Sequence, residues 1–141
     1  MMRIKFGGVV CPMITPFTKN GELYEEGVKN VATFLKENGV RGLFICGIYG
    51  LGPAMTIKQR KRVAELTVEQ VGGSRDVIIQ VGSTTIETTI ELAKHAEDVG
   101  ADAVASTPPF YFKYDPKAPF GALTEEEIAK LKNKLTELGF L

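Results

Sequence analysis

Apolar residues along the chain alternate between two patterns, short unbroken runs and longer stretches in which they recur every third or fourth position. The runs Gly8-Val9-Val10-Cys11-Pro12-Met13-Ile14, Leu43-Phe44-Ile45-Cys46, Asp76-Val77-Ile78-Ile79-Gln80-Val81-Gly82 and Ala101 to Ser106 are strand-like. The run before residue 47 lacks in-out alternation, as expected for a parallel strand covered on both faces. Between the runs, Val28, Val31, Ala32 and Leu35 share a helical stripe that Gly39 closes, and Val63, Leu66 and Gln70 share another before Gly72-Gly73. Thr56 with Gln59 reads as a capping box for the second helix. Thr84 with Glu87 reads as the cap of a third, whose face takes in Ile86, Ile90, Ala93 and Ala96 and which ends at Gly100.

Strand starts near 9, 43, 77 and 102 therefore repeat a strand-loop-helix unit, the signature of an α/β fold with a parallel sheet and right-handed crossovers. After the fourth strand the repeat stops. Residues 107–121 are rich in proline and aromatics and are predicted to be neither helix nor central strand. A last helix is predicted from Thr124 and Glu127, with Ile128, Leu131, Leu135 and Leu138 on one stripe and Gly139 beyond it.

Composition narrows the function classes. The chain has 141 residues, 44% hydrophobic and 24% charged, a size and balance that suit one globular domain. Lys plus Arg and Asp plus Glu both total 17, so no basic field attracts nucleic acid or an anionic membrane. No apolar run approaches the ~20 residues of a membrane span. Residues 1–5 lack the core and cleavage site of a signal peptide, so the expected location is the cytoplasm. Cys11 and Cys46 sit in apolar runs without metal-ligand spacing and are expected to be small buried hydrophobes. His95, the single histidine, lies among charges on a helix and is expected on its flank. Neither a metal nor a cofactor is expected.

The richest segment chemically runs from Gly42 to Thr56, where a buried strand enters a glycine-rich turn and then a capped helix. Gly47, Gly50 and Gly52 remove side chains where backbone amides could approach an anion, and the same glycines would also serve a plain tight connection.

Several stretches resemble the pyruvate-dependent class I aldolases of the dihydrodipicolinate synthase and N-acetylneuraminate lyase family, most closely the archaeal 2-keto-3-deoxygluconate aldolases. They are Pro12-Met13-Ile14-Thr15-Pro16-Phe17-Thr18, the turn with Gly50-Leu51-Gly52-Pro53-Ala54 at its centre, Gln80-Val81-Gly82, and Pro108-Pro109-Phe110-Tyr111. The resemblance implies a (β/α)8 TIM barrel, which needs about 250 residues. It places residues 1–115 in the N-terminal half of that barrel, about (βα)3β, and makes 116–141 a tail helix like the family's C-terminus. Strands five to eight are then missing, as in a natural half-barrel, an internal deletion or a mis-joined gene.

By the same resemblance, the substrate is a small keto acid, pyruvate or a keto-deoxy sugar acid, held as a Schiff base on a strand-six lysine. No lysine falls in a predicted strand, and Lys113, near the fourth strand's mouth, reads as a solvated loop residue. The isolated chain is accordingly expected to be inactive. Tyr111 matches the second aromatic of the family's Pro-Tyr-Tyr motif and is the candidate catalytic residue, with a rim aromatic as the equal alternative. Gly47, Ile48, Tyr49 and Gly50 form the candidate backbone cradle for the substrate carboxylate. Family enzymes usually carry two threonines where this chain has Ile48 and Tyr49, so the side-chain proton relay is damaged while the amides remain. Three functions stay open: an aldolase or lyase completed by another chain, a non-catalytic half-barrel that self-associates or binds a full-length relative, and a decayed gene product. A dihydrodipicolinate synthase-like activity is the alternative within the enzyme reading.

Overall fold

Four short parallel strands lie side by side in chain order, each of the first three followed by a helix that returns the chain to the same end of the sheet. The computed structural model describes residues 7–107 together with 125, 126, 129, 130 and 133. The strands are β1 (Val10–Pro12), β2 (Gly42–Ile45), β3 (Asp76–Gln80) and β4 (Ala103–Ala105), and the helices are α1 (Glu25–Glu37), α2 (Ile57–Val71) and α3 (Ile86–Asp98). Register runs Cys11 to Leu43 to Val77, and Ile79 to Val104. This is a partial (β/α) barrel.

Two compact units divide the chain at Phe110 and Tyr111. Within the second, residues 125, 126, 129, 130 and 133 are helical, and Lys130 pairs with Glu126 one turn earlier at 3.0 Å. The stripe residues proposed for this helix, with Tyr111 and Lys113, lie outside the described residues.

The core of the first unit lies between the sheet and the helices. Leu43, Ile45, Val77 and Ile79 turn one face of the strands toward Val28 and Ala32 of α1, Val63 and Leu66 of α2, and Leu92 and Ala96 of α3. Each such side chain contributes about 1.5–3 kcal/mol when fully buried. Pleating sends Phe44, Ile78 and Gln80 to the opposite face, where Phe44 and Ile78 are only half-buried. The expectation of β2 as a strand covered on both faces is met on one face only: Leu43 and Ile45 are buried against the helices, while Phe44 on the other face is half-buried.

Local chemistry sets the helix ends. Thr56 and Gln59 form the expected capping box, Thr56 accepting from the Gln59 amide at 3.2 Å while Gln59 Oε1 accepts from the Thr56 amide at 2.9 Å. Gly39, with φ of 79°, takes the left-handed position after α1. The cap of α3 is Thr85, which accepts from the Thr88 amide at 3.2 Å, and not Thr84. That one-residue shift goes with a different inward stripe, carried by Leu92 and Ala96 with Ala93 and Val99 beside them. Ile86 and Ile90, expected in the core, are 75% and 49% exposed.

Strand ends are shorter than the apolar runs. The strands end before residues 13, 14, 81 and 82, although the Met13 and Val81 amides still donate to the Phe44 and Ala105 carbonyls at 2.9 and 2.8 Å. Cys46 is buried as expected, whereas Cys11 is only half-buried because it stands on the outermost described strand. His95 is on a helix flank, its Nε2 3.1 Å from Glu65 Oε1. Among the described residues no helix is long and apolar enough to cross a membrane.

Candidate functional site

Buried polar side chains are few in the first unit. Four are found among the described residues: Thr15, Arg60, Thr67 and Gln80. Thr67 bonds back to the Val63 carbonyl within its own helix at 2.8 Å. The other three gather where strands give way to loops, at the carboxyl ends at which parallel α/β sheets carry their sites.

The glycine turn after β2 is built by close approach. Cys46 and Leu51 both take the left-handed conformation with φ of 57°, which costs non-glycine residues of the order of 1 kcal/mol or more and brackets the turn. Within it, the Leu51 amide donates to the Ile48 carbonyl at 3.0 Å and the Gly52 amide to the Gly47 carbonyl at 2.9 Å. A Cβ on Gly50 would stand 2.8 Å from the Met13 carbonyl oxygen, and one on Gly52 would overlap the Cys46 carbonyl. Thr15, just past β1, donates its hydroxyl to the Gly50 carbonyl at 2.7 Å and ties the first two strand exits together.

The sequence-predicted cradle residues occupy this turn. Gly47 and Gly50 are buried, and Ile48 and Tyr49 form its tip with their side chains 79% and 77% exposed. Among the described residues no oxygen accepts from the amides of Gly47, Ile48, Tyr49 or Gly50. Four donors at this turn are thus without an acceptor among the described residues. Ile48 offers no hydroxyl, and the exposed tip carries the Tyr49 phenol. No group of three or more His, Cys, Asp or Glu that could hold a metal occurs among the described residues.

Sequence reasoning missed Arg60 altogether, and it met Gln80 only as part of a family-like stretch, without a role at the site. From the first turn of α2, Arg60 sends Nη2 to the Gln80 carbonyl at 2.6 Å and Nη1 to the Gly82 carbonyl at 3.1 Å. Gln80 accepts from the Gly82 amide and donates Nε2 to Thr107 Oγ1 at 2.9 Å, joining the exits of β3 and β4. The missed signal was periodicity: Arg60, Val63, Ala64, Thr67 and Val71 are one buried stripe of α2, with an arginine at its head. Burial pushes the Cys46 thiol up to about 11 and pulls Arg60 below its ordinary value.

A half-sheet with its polar groups at the carboxyl ends, a glycine turn after the second strand and a capped helix behind it can be compared with known proteins. Residues 5–119 match the Dihydrodipicolinate synthetase family. The chain belongs to that family. It is 44% identical over 108 residues to a 4-hydroxy-tetrahydrodipicolinate synthase of Methanocaldococcus jannaschii, covering 77% of this chain and 37% of that protein. It is 40% identical over 125 residues to a 2-dehydro-3-deoxy-D-gluconate/2-dehydro-3-deoxy-phosphogluconate aldolase of Thermoproteus tenax, covering 86% of this chain and 36% of that protein. In structure it is similar to the N-acetylneuraminate lyase of Proteus mirabilis, with a TM-score of 0.74 and 34% identity over 77% of this chain and 37% of the lyase. The chain spans a little over a third of the length of the curated relatives it matches.

Proposed function

We propose that this chain carries the carboxylate-binding part of an aldolase or lyase site and holds a small 2-keto acid, pyruvate or a keto-deoxy sugar acid, on the free amides of Gly47, Ile48, Tyr49 and Gly50. The observation that carries this reading is the set of unused donors in a turn bracketed by two left-handed non-glycine residues. Strain of that kind is held in place by its surroundings, and here Thr15 and the close-packed glycines do so. A carboxylate on backbone amides needs no particular side chain, so Ile48 and Tyr49 do not spoil it.

Covalent chemistry is a separate requirement. Schiff-base formation condenses a neutral lysine amine with the keto carbon and releases water, and a lysine is kept neutral by burial. Strands β1 to β4 contain no lysine. In this reading the chain binds the keto acid and leaves bond cleavage to a partner chain that supplies the lysine. Treatment with pyruvate and borohydride followed by intact mass measurement is expected to leave the mass unchanged, while calorimetry with pyruvate shows saturable binding. A stoichiometric reduced pyruvyl adduct overturns the first half of the proposal, and absence of binding heat overturns the second.

A second reading, a half-barrel that self-associates or binds a full-length relative, rests on where apolar surface remains. Val9 and Phe34 on the β1–α1 side, and Ile86, Ile90 and Val104 on the α3–β4 side, are all between 49% and 75% exposed. Among the described strands, β1 and β4 each pair on one side only.

A further inference from the structure

A buried arginine that touches only carbonyl oxygens is an expensive way to fill space. Arg60 is 5% exposed, and among the described residues no carboxylate lies within ion-pairing distance of it. Its Nε has no hydrogen-bond partner. Removing a cation from water without a counter-ion costs several kcal/mol, which a leucine or methionine at the same place would avoid.

Arg60 joins two loops of the mouth. Its guanidinium holds the Gln80 and Gly82 carbonyls at the exit of β3. Its own backbone lies one helical turn after the Thr56 cap, with its amide donating to the Thr56 carbonyl at 3.0 Å, and so continues directly from the glycine turn. The Cys46 thiol, at the opening of that turn, points to the Arg60 carbonyl with Sγ at 3.8 Å. Resting on the cradle reading above, we infer that Arg60 is the positioning residue of this site: its fork fixes the glycine turn relative to the β3 exit, and its unpaired charge favours a carboxylate at the turn. Gln80 extends the same fastening to Thr107 after β4.

The test compares Arg60→Met, which removes fork and charge, with Arg60→Lys, which keeps the charge and loses the fork. Amide hydrogen exchange reads the coupling. In Arg60→Met the amides of Leu51 and Gly52 in the turn and of Val81 and Gly82 after β3 are expected to exchange about tenfold faster together, with α1 unchanged. A rise confined to Val81 and Gly82, or no rise, overturns the coupling. If Arg60→Met loosens α1 as well, Arg60→Lys decides: Leu51 and Gly52 must still exchange faster while α1 holds, and their remaining protected overturns the inference. Pyruvate titration reads the charge. Arg60→Met is expected to weaken pyruvate about tenfold and Arg60→Lys to recover part of that loss. Equal affinities in both variants and the unsubstituted chain overturn the electrostatic half. If the unsubstituted chain takes up no pyruvate, the cradle reading falls, while hydrogen exchange still judges Arg60 on its own.

Discussion

Gly50 and Gly52 are held to glycine by what stands against them rather than by their backbone angles. A methyl at Gly50 meets the Met13 carbonyl and one at Gly52 meets the Cys46 carbonyl, and main-chain oxygens in packed strand exits cannot step aside. Gly50→Ala is expected to lower stability by about 1–3 kcal/mol, and Gly52→Ala by more, in urea unfolding. Equal midpoints for both variants and the unsubstituted chain contradict the described turn. Thr15→Val keeps the shape but removes the hydroxyl donated to Gly50, with an expected loss of about 1–2 kcal/mol. The turn's glycines were legible in the sequence because their spacing follows a buried strand. Thr15 and Gln80 were visible only as members of family-like stretches and Arg60 not at all, since a polar residue's burial depends on which loops converge on it, and that is a property of the assembled sheet.

Helices carry the contrast between apolar residues that pack and those that do not. Leu92 and Ile90 are near neighbours on α3, yet Leu92 is 5% exposed and Ile90 49%. Leu92→Ala is expected to cost about 2–4 kcal/mol, whereas Ile90→Ala costs well under half of that in the same denaturation series. Comparable losses would restore the stripe that the sequence suggested. The error there was instructive: Ser83 to Thr85 offer three caps for one helix, and apolar residues lie on more than one of its faces, so packing against the sheet and α2 decides which stripe is buried. The capping box at Thr56 left no such choice.

Electrostatics between helices has a definite sign. Arg62 on α2 binds Glu25 of α1 through Nη2 at 2.7 Å and Nε at 2.8 Å, and Glu65 at 3.0 Å, and these hydrogen bonds hold both carboxyls below their ordinary value of 4.5. A carboxyl whose folded pKa lies below its unfolded one stabilises the fold above the unfolded value. That contribution fades as pH falls through the folded pKa. Stability should therefore decline as the pH drops below about 4.5, and the decline should be shallower in Arg62→Met and in high salt, because all three side chains are exposed to solvent. Identical acid limbs in thermal unfolding for Arg62→Met and the unsubstituted chain would remove this network from the account.

At the scale of the whole chain, the parallel repeat announced the fold. Four strand-like runs at regular spacing, with helical stripes between them, become the four-stranded sheet of a partial barrel, and three of the family stretches, 12–18, 50–54 and 80–82, lie at or just beyond the exits of β1, β2 and β3. Among the described strands, β1 and β4 each pair on one side only, and apolar side chains beside them are exposed. Size exclusion over a range of concentrations is expected to show self-association that Val104→Lys weakens, and a monomer at every concentration would argue against the second functional reading. The relatives' names span a synthase, an aldolase and a lyase, so family membership alone does not name a substrate for this chain. Whether this turn binds a keto acid at all is read most directly by following the backbone amides as pyruvate is added. The account predicts saturable shifts centred on Gly47, Ile48, Tyr49 and Gly50, with smaller ones at Leu51 and Gly52, and spectra in which those four amides stay still at saturating pyruvate would contradict it.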